Sequence, residues 1–315
     1  MTPGDKPRAR IIFVPGKNPK PPPEEYTAQT WRCLLEGVRR ADPAVHAQLL
    51  TSHGVFRLIS WNYSYYGSYR DISIDMPSIE AVLKQQEATP EEMRQARGWR
   101  SRIARLLCLL ADFVPALIDH IVDARIKAAI VETRRYFENR DGIAEIVRRP
   151  LAECIRESCR QDVPILIIGH SLGSIIAYDT LWLLSHVDPA PGVIDQFLTI
   201  GSPLGTQYAQ KRLLGHGTAG RTRYPTNIRR WCNISAVGDL TAFDPRVRND
   251  FRKMLKLGII EDIRDYEEPV YNFFRIHGAL NVHRSYGYLV NRAVGGVIAE
   301  WWRRQAILSP GGAAH

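Results

Sequence analysis

The chain has 315 residues, of which 45% are hydrophobic and 24% charged; this balance is typical of a globular protein and excludes a largely disordered one. At this length we expect one domain with insertions. The formal net charge of +9 comes from basic residues that are scattered along the chain and match no nucleic-acid-binding module, so we expect no nucleic-acid partner. Attraction to an anionic membrane or to an acidic substrate remains open.

The cysteines and the N-terminus indicate a cellular compartment. The five cysteines are an odd number without the spacing of metal ligands, which favours a reduced protein in which they pack in the core. The first six residues contain no apolar segment of the kind that a secretory signal needs. We therefore expect a cytoplasmic protein, at most peripheral to a membrane, that uses no metal and no cofactor.

The chain begins with alternating strand and helix patterns. The apolar run over 10–14 predicts a strand that ends at Pro15 and Gly16. A proline-rich loop follows, then a helical pattern over about 24–40 and a second predicted strand over 55–61. We expect these elements to begin an α/β fold with a mostly parallel central sheet flanked by helices.

A long helical segment separates the second predicted strand from the third. Residues 77–149 carry helical patterns with a wide apolar face, which predicts a helical cap inserted into a core formed by residues 1–76 and 150–308. Acidic residues and a proline interrupt the apolar run over 106–122, so no transmembrane helix is predicted. A membrane-contacting cap is the alternative, because four arginines between residues 97 and 105 precede this run.

The residues around Ser171 carry the strongest signal in the chain. An apolar run over 165–168 predicts a strand buried on both faces of a parallel sheet, and a helical pattern begins at Leu172. Between them, Gly169-His-Ser-Leu-Gly173 has the form G-x-S-x-G, whose small residues let the backbone turn tightly and hold the serine hydroxyl out. Strand, turn and helix together predict a nucleophile at Ser171.

Three further strands are predicted after this helix. They cover 196–200, 230–237 and 269–276. Ser202, just after the first of them, is interpreted as structural because it lacks the strand-to-helix turn of Ser171. A helix then closes the chain before a flexible tail over 309–315.

A serine nucleophile needs a base to accept its proton and a carboxylate to orient that base. Asp239, in the turn after the predicted strand at 230–237, is the expected acid, and Asp244 is the second candidate. For the base, His283 is preferred to His277 because it lies in the loop just before the final helix. The predicted order along the chain is serine, acid, histidine.

Backbone N–H groups are the expected partners of a developing oxyanion. The loop after the first strand lies beside the serine turn in a sheet of this kind, which makes Gly16 and Lys17 candidates. The N–H of Leu172, at the positive end of the helix that follows Ser171, is the expected second donor.

Three segments resemble the lipase-like branch of the α/β-hydrolase family of serine esterases. They are Ile168-Gly-His-Ser-Leu-Gly-Ser-Ile-Ile-Ala-Tyr-Asp179, Thr199-Ile-Gly-Ser-Pro-Leu204, and the strand and turn from Asn233 to Asp239. The first segment is also similar to the serine turn of intracellular phospholipases A1, although the Asp-Asp-His-Asp signature of those enzymes is absent. The resemblance covers about 10–61 and 163–302 and not the helical insertion.

The resemblance implies an α/β-hydrolase fold with a catalytic triad of Ser171, Asp239 and His283. The implied reaction is the hydrolysis of a carboxylic ester through an acyl-enzyme, with a small-molecule or lipid ester as the substrate. Pro15 stands before Gly16 where many relatives have a histidine.

Three other functions fit the same residues. An acyltransferase would use the same triad with an alcohol or an amine in place of water. A membrane-associated phospholipase would take a lipid. A non-catalytic protein of the same fold would bind a membrane or a partner through the basic helical insertion.

Overall fold

The computed structural model describes residues 7–98, 133–190, 192–240 and 246–308; of residues 306–308 it describes only the backbone. The strands are β1 (Arg10–Val14), β2 (Phe56–Leu58), β3 (Ile165–His170), β4 (Gln196–Ile200), β5 (Arg230–Ile234), β6 (Asp262–Asp265), β7 (Arg275–Ile276) and β8 (Ala279–Leu280). The helices are α1 (Pro23–Ala41), α2 (Pro43–Leu50), α3 (Asn62–Tyr66), α4 (Met76–Lys84), α5 (Pro90–Ala96), α6 (Ile143–Arg160), α7 (Leu172–His186), α8 (Gln207–Gln210), α9 (Val247–Lys256), α10 (Ser285–Leu289) and α11 (Arg292–Leu308). Residues 133–137 are also helical, and short 3₁₀ helices occur at Ile72–Ile74, Arg140–Gly142, Pro203–Gly205 and Gly220–Arg223.

The main sheet in the described residues has six strands, all parallel, in the order β2-β1-β3-β4-β5-β6. β1 and β3 are neighbours, although the connection between them contains β2 and several helices. After β1 the chain adds β2 on one side of it. It then returns to place β3 on the other side of β1 and continues in that direction with β4, β5 and β6. An α/β sheet places its site at such a reversal, beyond the carboxyl ends of the strands.

Alternate residues of each central strand face two different helical layers. In β3, Leu166 and Ile168 pack in the cluster that contains residues of α1, α10 and α11. Ile165 and Ile167 pack in the cluster that contains residues of α6, α7 and α9. Because both faces of the strand are covered, its sequence is a continuous apolar run and not an alternating one.

The predicted strands agree with the central part of the sheet. The strands predicted over 10–14 and 196–200 are confirmed at both ends. The strand predicted over 165–168 continues to His170. The strands predicted over 55–61 and 230–237 are shortened to β2 and β5, so the prediction overran the strand ends that lead into the loops.

The last predicted strand, over 269–276, is wrong. In this range Val270 forms one isolated bridge to Ala236, and the two residues of β7 pair with β8 in an antiparallel hairpin. The edge of the main sheet is β6 instead, whose sequence Asp-Ile-Arg-Asp has one buried residue, Ile263. Charged, short edge strands discourage pairing with other chains, and this composition has no apolar pattern that predicts a strand.

Helices α4 and α5 begin the segment that the sequence predicts to be a cap, and the apolar run predicted over 106–122 lies outside the described residues. Helix α6 crosses the boundary predicted between 149 and 150. Its residues Ile143, Val147 and Leu151 are buried in the same cluster as α7, so α6 belongs to a helical layer of the sheet. Among the described helices, none combines the length and apolar character that crossing a bilayer requires.

Helices α1 and α11 pack with their backbones in contact. A Cβ added at Gly295 would overlap the carbonyl group of Gly37, and one added at Gly37 would overlap the carbonyl oxygen of Leu289. Backbone atoms cannot rotate away as side chains can, so both positions need glycine. A Cβ at Gly296, the next residue of α11, meets no atom of the described residues within 4 Å.

We predict that Gly295→Ala destabilises the protein by roughly 1–3 kcal/mol, because the added methyl group forces the two helices apart. Gly296→Ala is the matched control. Alanine in a helix is more favourable than glycine by up to about 1 kcal/mol, so this variant keeps or gains stability. Urea unfolding followed by circular dichroism measures both changes. Equal stability of the two variants would contradict the close contact between the helices.

Candidate active site

Ser171 lies at a strained turn between β3 and α7. Its backbone has φ 53° and ψ −129°, a conformation that residues other than glycine rarely adopt and that costs about 1–3 kcal/mol. Two glycines make the turn possible. A Cβ at Gly169 would lie 2.7 Å from the Cα of Ser174, and one at Gly173 would overlap the carbonyl oxygen of Val14. The turn therefore holds Ser171 at the carboxyl end of β3, beside the end of β1.

Ser171 is the first member of a chain of three hydrogen-bonded side chains. Its Oγ lies 2.9 Å from His283 Nε2, and His283 Nδ1 lies 2.9 Å and 3.0 Å from the two oxygens of Asp239. Because a carboxylate only accepts, Nδ1 carries the proton, and Nε2 accepts from the serine hydroxyl. The side chain of Asp239 is fully buried, whereas 28% of the His283 side chain is exposed.

The three side chains come from distant parts of the sequence. Ser171 follows β3, Asp239 lies in the turn beyond β5, and His283 lies in the loop before α10. The structure thus brings together the three residues that the sequence singles out. We call this group the Ser171–His283–Asp239 triad.

Tyr288 supports the carboxylate of the triad. Its hydroxyl donates to Asp239 Oδ2 at 2.6 Å and accepts from the N–H of Ala236 at 2.8 Å. Burial, and then the charge of Asp239, raise the pKa of Tyr288 well above its usual value of 10, so the hydroxyl keeps its proton. Gly201, with φ +53°, leaves room for the Asp239 carboxylate, because a Cβ at this position would lie 2.8 Å from Asp239 Oδ2.

The two alternative residues have different positions. His277 is exposed at the tip of the β7–β8 hairpin, where it and Gly278 have φ values of 48° and 77° and form a two-residue turn. It is therefore His283 and not His277 that lies at Ser171. Asp244 lies outside the described residues.

His170 holds the loop that carries His283. The centroids of the two imidazole rings lie 4.8 Å apart, and His170 Nε2–H donates to the backbone carbonyl of His283 at 2.8 Å. Burial, followed by the neighbouring His283, lowers the pKa of His170 well below 6.5. The ring is therefore neutral at physiological pH and places no fixed positive charge beside the triad.

The predicted backbone donors lie around Ser171. A Cβ at Gly16 would lie 2.8 Å from the Cβ of Ser171, so the backbone of Gly16 is directly against the serine. Lys17 follows it and is half-buried, and Leu172 is the first residue of α7. Within the described part of the chain, the N–H groups of Gly16 and Leu172 have no hydrogen-bond partner. Both are therefore available to an acceptor oxygen that binds beside Ser171.

A buried group of charges ties the His283 loop to the loop after β1. The carboxylate of Asp75, with no exposed surface, forms ion pairs with Arg70 and Arg284. Lys20 is buried near them, and burial, then the charge of Arg284, lower its pKa well below 10.5. Since Arg284 follows His283 directly, this network restricts the loop that carries the imidazole.

Three residues of the site have no signal in the sequence. Tyr288 contacts Asp239, and Trp61 and Asn62 donate hydrogen bonds to the loop after β1. Each of these partners is 46 to 49 residues away along the chain, so no local spacing marks the pairs. An alignment of related chains could have marked them, because a residue that must donate to a fixed partner tolerates few replacements.

No protein-family model, curated protein or solved structure matches this chain. Among the described residues, no group of three or more histidine, cysteine, aspartate and glutamate side chains could hold a metal ion. The geometry itself supports one kind of chemistry. A serine hydroxyl that donates to an imidazole, which in turn donates to a buried carboxylate, can lose its proton as it attacks an electrophile.

Helix α7 is anchored through Asp179, about two turns after Ser171. Its Oδ2 accepts from the Tyr136 hydroxyl at 2.8 Å, and its Oδ1 accepts from the N–H of Leu214 at 2.9 Å. Burial is the largest influence on this carboxyl and raises its pKa from 3.8 to about 6. At neutral pH the helix therefore contains a buried charge that lowers the stability of the fold.

We predict that Asp179→Asn becomes more stable relative to wild type as the pH rises. The folded protein binds the Asp179 proton more tightly than the unfolded chain does, so the stability that this group contributes is complete below pH 3.8 and is lost as the pH rises from 3.8 through about 6. The variant, which cannot ionise, should gain roughly 2 kcal/mol on wild type between pH 4 and pH 8. Urea unfolding over this range measures the gain; a pH-independent difference would contradict the raised pKa.

Proposed function

We propose that the protein is a serine hydrolase that cleaves carboxylic esters through an acyl-enzyme formed on Ser171. The observation that carries the proposal is the continuous hydrogen bonding of the triad, with 2.9 Å between Ser171 Oγ and His283 Nε2 and 2.9 Å between His283 Nδ1 and Asp239 Oδ2. The serine also occupies a strained strand-to-helix turn, which is where a nucleophilic serine can reach an acyl group.

In the acylation step, Ser171 Oγ attacks the carbonyl carbon of the ester while its proton passes to His283 Nε2. The tetrahedral intermediate then collapses. The bond between the carbonyl carbon and the alcohol oxygen breaks, and the imidazolium gives its proton to the leaving oxygen. Asp239 stabilises the imidazolium and keeps its ring oriented, and Tyr288 holds Asp239 in place.

The negative charge of the intermediate collects on the former carbonyl oxygen. In the proposal this oxygen accepts from the N–H of Leu172 and from the N–H of Gly16 or Lys17. Backbone donors that are fixed before the reaction need no reorganisation as the charge develops, so they stabilise the transition state more than the substrate.

Deacylation repeats the same steps with water. His283 Nε2 accepts a proton from the attacking water, the second tetrahedral intermediate forms, and the bond between the acyl carbon and Ser171 Oγ breaks. The imidazolium returns the proton to Oγ, which restores the free enzyme and releases the carboxylic acid.

We propose on the same grounds that the fold is that of an α/β-hydrolase. The supporting features are the parallel sheet, a serine turn after a central strand and the order serine, acid, histidine along the chain. A helical cap in the part of 77–149 that precedes α6, and a small-molecule or lipid ester as the substrate, belong to the same proposal.

We predict that an alkyl fluorophosphonate labels Ser171 and that Ser171→Ala abolishes both the label and esterase activity. The adduct forms because His283 takes the serine proton as the phosphorus is attacked, so an intact triad is required. Intact-protein mass spectrometry measures the adduct, and hydrolysis of p-nitrophenyl esters of increasing chain length measures the activity. Loss of the serine should lower turnover roughly 10³-fold or more.

The matched control is Ser158→Ala, which removes a fully buried serine hydroxyl that donates to the carbonyl of Cys154 in its own helix. This variant should keep the adduct and the activity. The proposal would be overturned by a folded wild-type protein that forms no adduct, or by a Ser171→Ala variant that keeps full activity.

A further inference from the structure

The loop after β1 is held by its carbonyl groups. Trp61 Nε1–H donates to the carbonyl of Pro15 at 2.9 Å. The side-chain amide of Asn62 donates to the carbonyls of Gly16 at 2.8 Å and of Asn18 at 3.0 Å. Trp61 is fully buried and Asn62 is 2% exposed, so water does not compete for these bonds.

These bonds fix the directions of two N–H groups. In a trans peptide the C=O and the following N–H point to opposite sides, and the chain contains no cis peptide among its described residues. The bond to the Pro15 carbonyl therefore directs the N–H of Gly16 away from Trp61. In the same way, the bond to the Gly16 carbonyl directs the N–H of Lys17 away from Asn62.

The next peptide of the loop is held on both sides. Lys20 Nζ donates to the carbonyl of Lys17 at 2.8 Å, and the N–H of Asn18 donates to the hydroxyl of Tyr66 at 2.9 Å. Three consecutive peptide planes are thus fixed by side chains, two of them by Trp61 and Asn62 at the start of α3. Gly16 has no side chain that could restrict its own backbone, so other residues must restrain it.

We propose that Asn62 and Trp61 are positioning residues for the oxyanion site. They hold the peptides on either side of Gly16 so that the N–H groups of Gly16 and Lys17 face the position of the substrate carbonyl oxygen. Neither side chain touches the reacting atoms. This inference rests on the proposed function of the Ser171–His283–Asp239 triad. It adds the residues that hold the backbone N–H groups expected to stabilise the oxyanion.

The decisive variant is Asn62→Leu, which keeps the shape of the side chain and removes both donors. We expect kcat for p-nitrophenyl esters to fall roughly 10- to 100-fold, because complete removal of an oxyanion donor costs about 10² to 10³. KM should stay within about twofold, since the oxygen carries its charge in the transition state and not in the bound substrate.

Asn227→Leu is the matched control. Asn227 is also buried, its amide donates to one backbone carbonyl, that of Leu181, at 3.2 Å, and its Oδ1 is buried without a partner, as is that of Asn62. Thermal unfolding should show a loss of stability in both variants. Only Asn62→Leu should lose kcat at a temperature where both are folded.

A second readout separates positioning from loss of structure. Phenylboronic acid adds to a reactive serine as a tetrahedral boronate, one oxygen of which occupies the oxyanion site. Its inhibition constant should rise in Asn62→Leu by about the factor that kcat/KM falls, because the same N–H groups bind both oxygens. In Asn227→Leu the inhibition constant should stay at the wild-type value.

Trp61→Phe tests the hydrogen bond to the Pro15 carbonyl. It is the variant that tests the positioning role if Asn62→Leu does not fold. It removes the indole N–H and keeps an aromatic ring, and roughly a tenfold loss of kcat is expected. Its control is Trp182→Phe, which removes an indole N–H that donates to the carbonyl of Thr222 at 2.9 Å on the exposed side of α7.

The outcomes distinguish the two proposals. Activity that is lost in Ser171→Ala but unchanged in both Asn62→Leu and Trp61→Phe overturns the positioning role and leaves the proposed hydrolase intact. Equal losses of kcat in Asn62→Leu and Asn227→Leu also overturn it, because both changes would then act through stability. A folded wild-type protein without activity and without a phosphonate adduct overturns the hydrolase, and the positioning role with it.

Discussion

The geometry of the site depends on the close backbone contact between the ends of β1 and β3. Gly16 lies against Ser171, and Gly173 lies against the carbonyl of Val14, at distances that leave no room for a Cβ at either glycine. This contact sets the separation between the serine and the loop of candidate oxyanion donors. A difference of one methyl group would move the donors by more than a hydrogen bond tolerates.

The parallel sheet brings the other residues of the site to this contact. Because all six strands run in one direction, the loops after β1, β3, β4 and β5 emerge at the same edge. They bring Gly16, Ser171, Gly201 and Asp239 together, although these residues span more than two hundred positions in the sequence. His283 reaches this edge from the loop before α10 and is fixed there by His170 and by the network around Asp75.

The sequence predicts the parts of this arrangement that local patterns encode. The turn at Ser171 is marked by glycines two residues before and after it, and β3 and β4 are marked by continuous apolar runs. Edge strand β6 is not marked, because a strand with one covered face and a charged sequence has no such run. Tyr288, Trp61 and Asn62 are not marked either, since their partners are determined by tertiary packing alone.

The same features that favour chemistry at this edge lower the stability of the fold. The strained backbone of Ser171 costs about 1–3 kcal/mol, and within the described residues the N–H groups of Gly16 and Leu172 lack partners. Such a conformation persists only where the surrounding structure determines it. Helix α7 provides that restraint: its first ten residues are buried between the sheet and neighbouring helices, so relaxing Ser171 would displace the whole layer. Packing away from the reacting atoms therefore maintains the strained backbone of Ser171. The N–H groups of Gly16 and Leu172 stay available at the site.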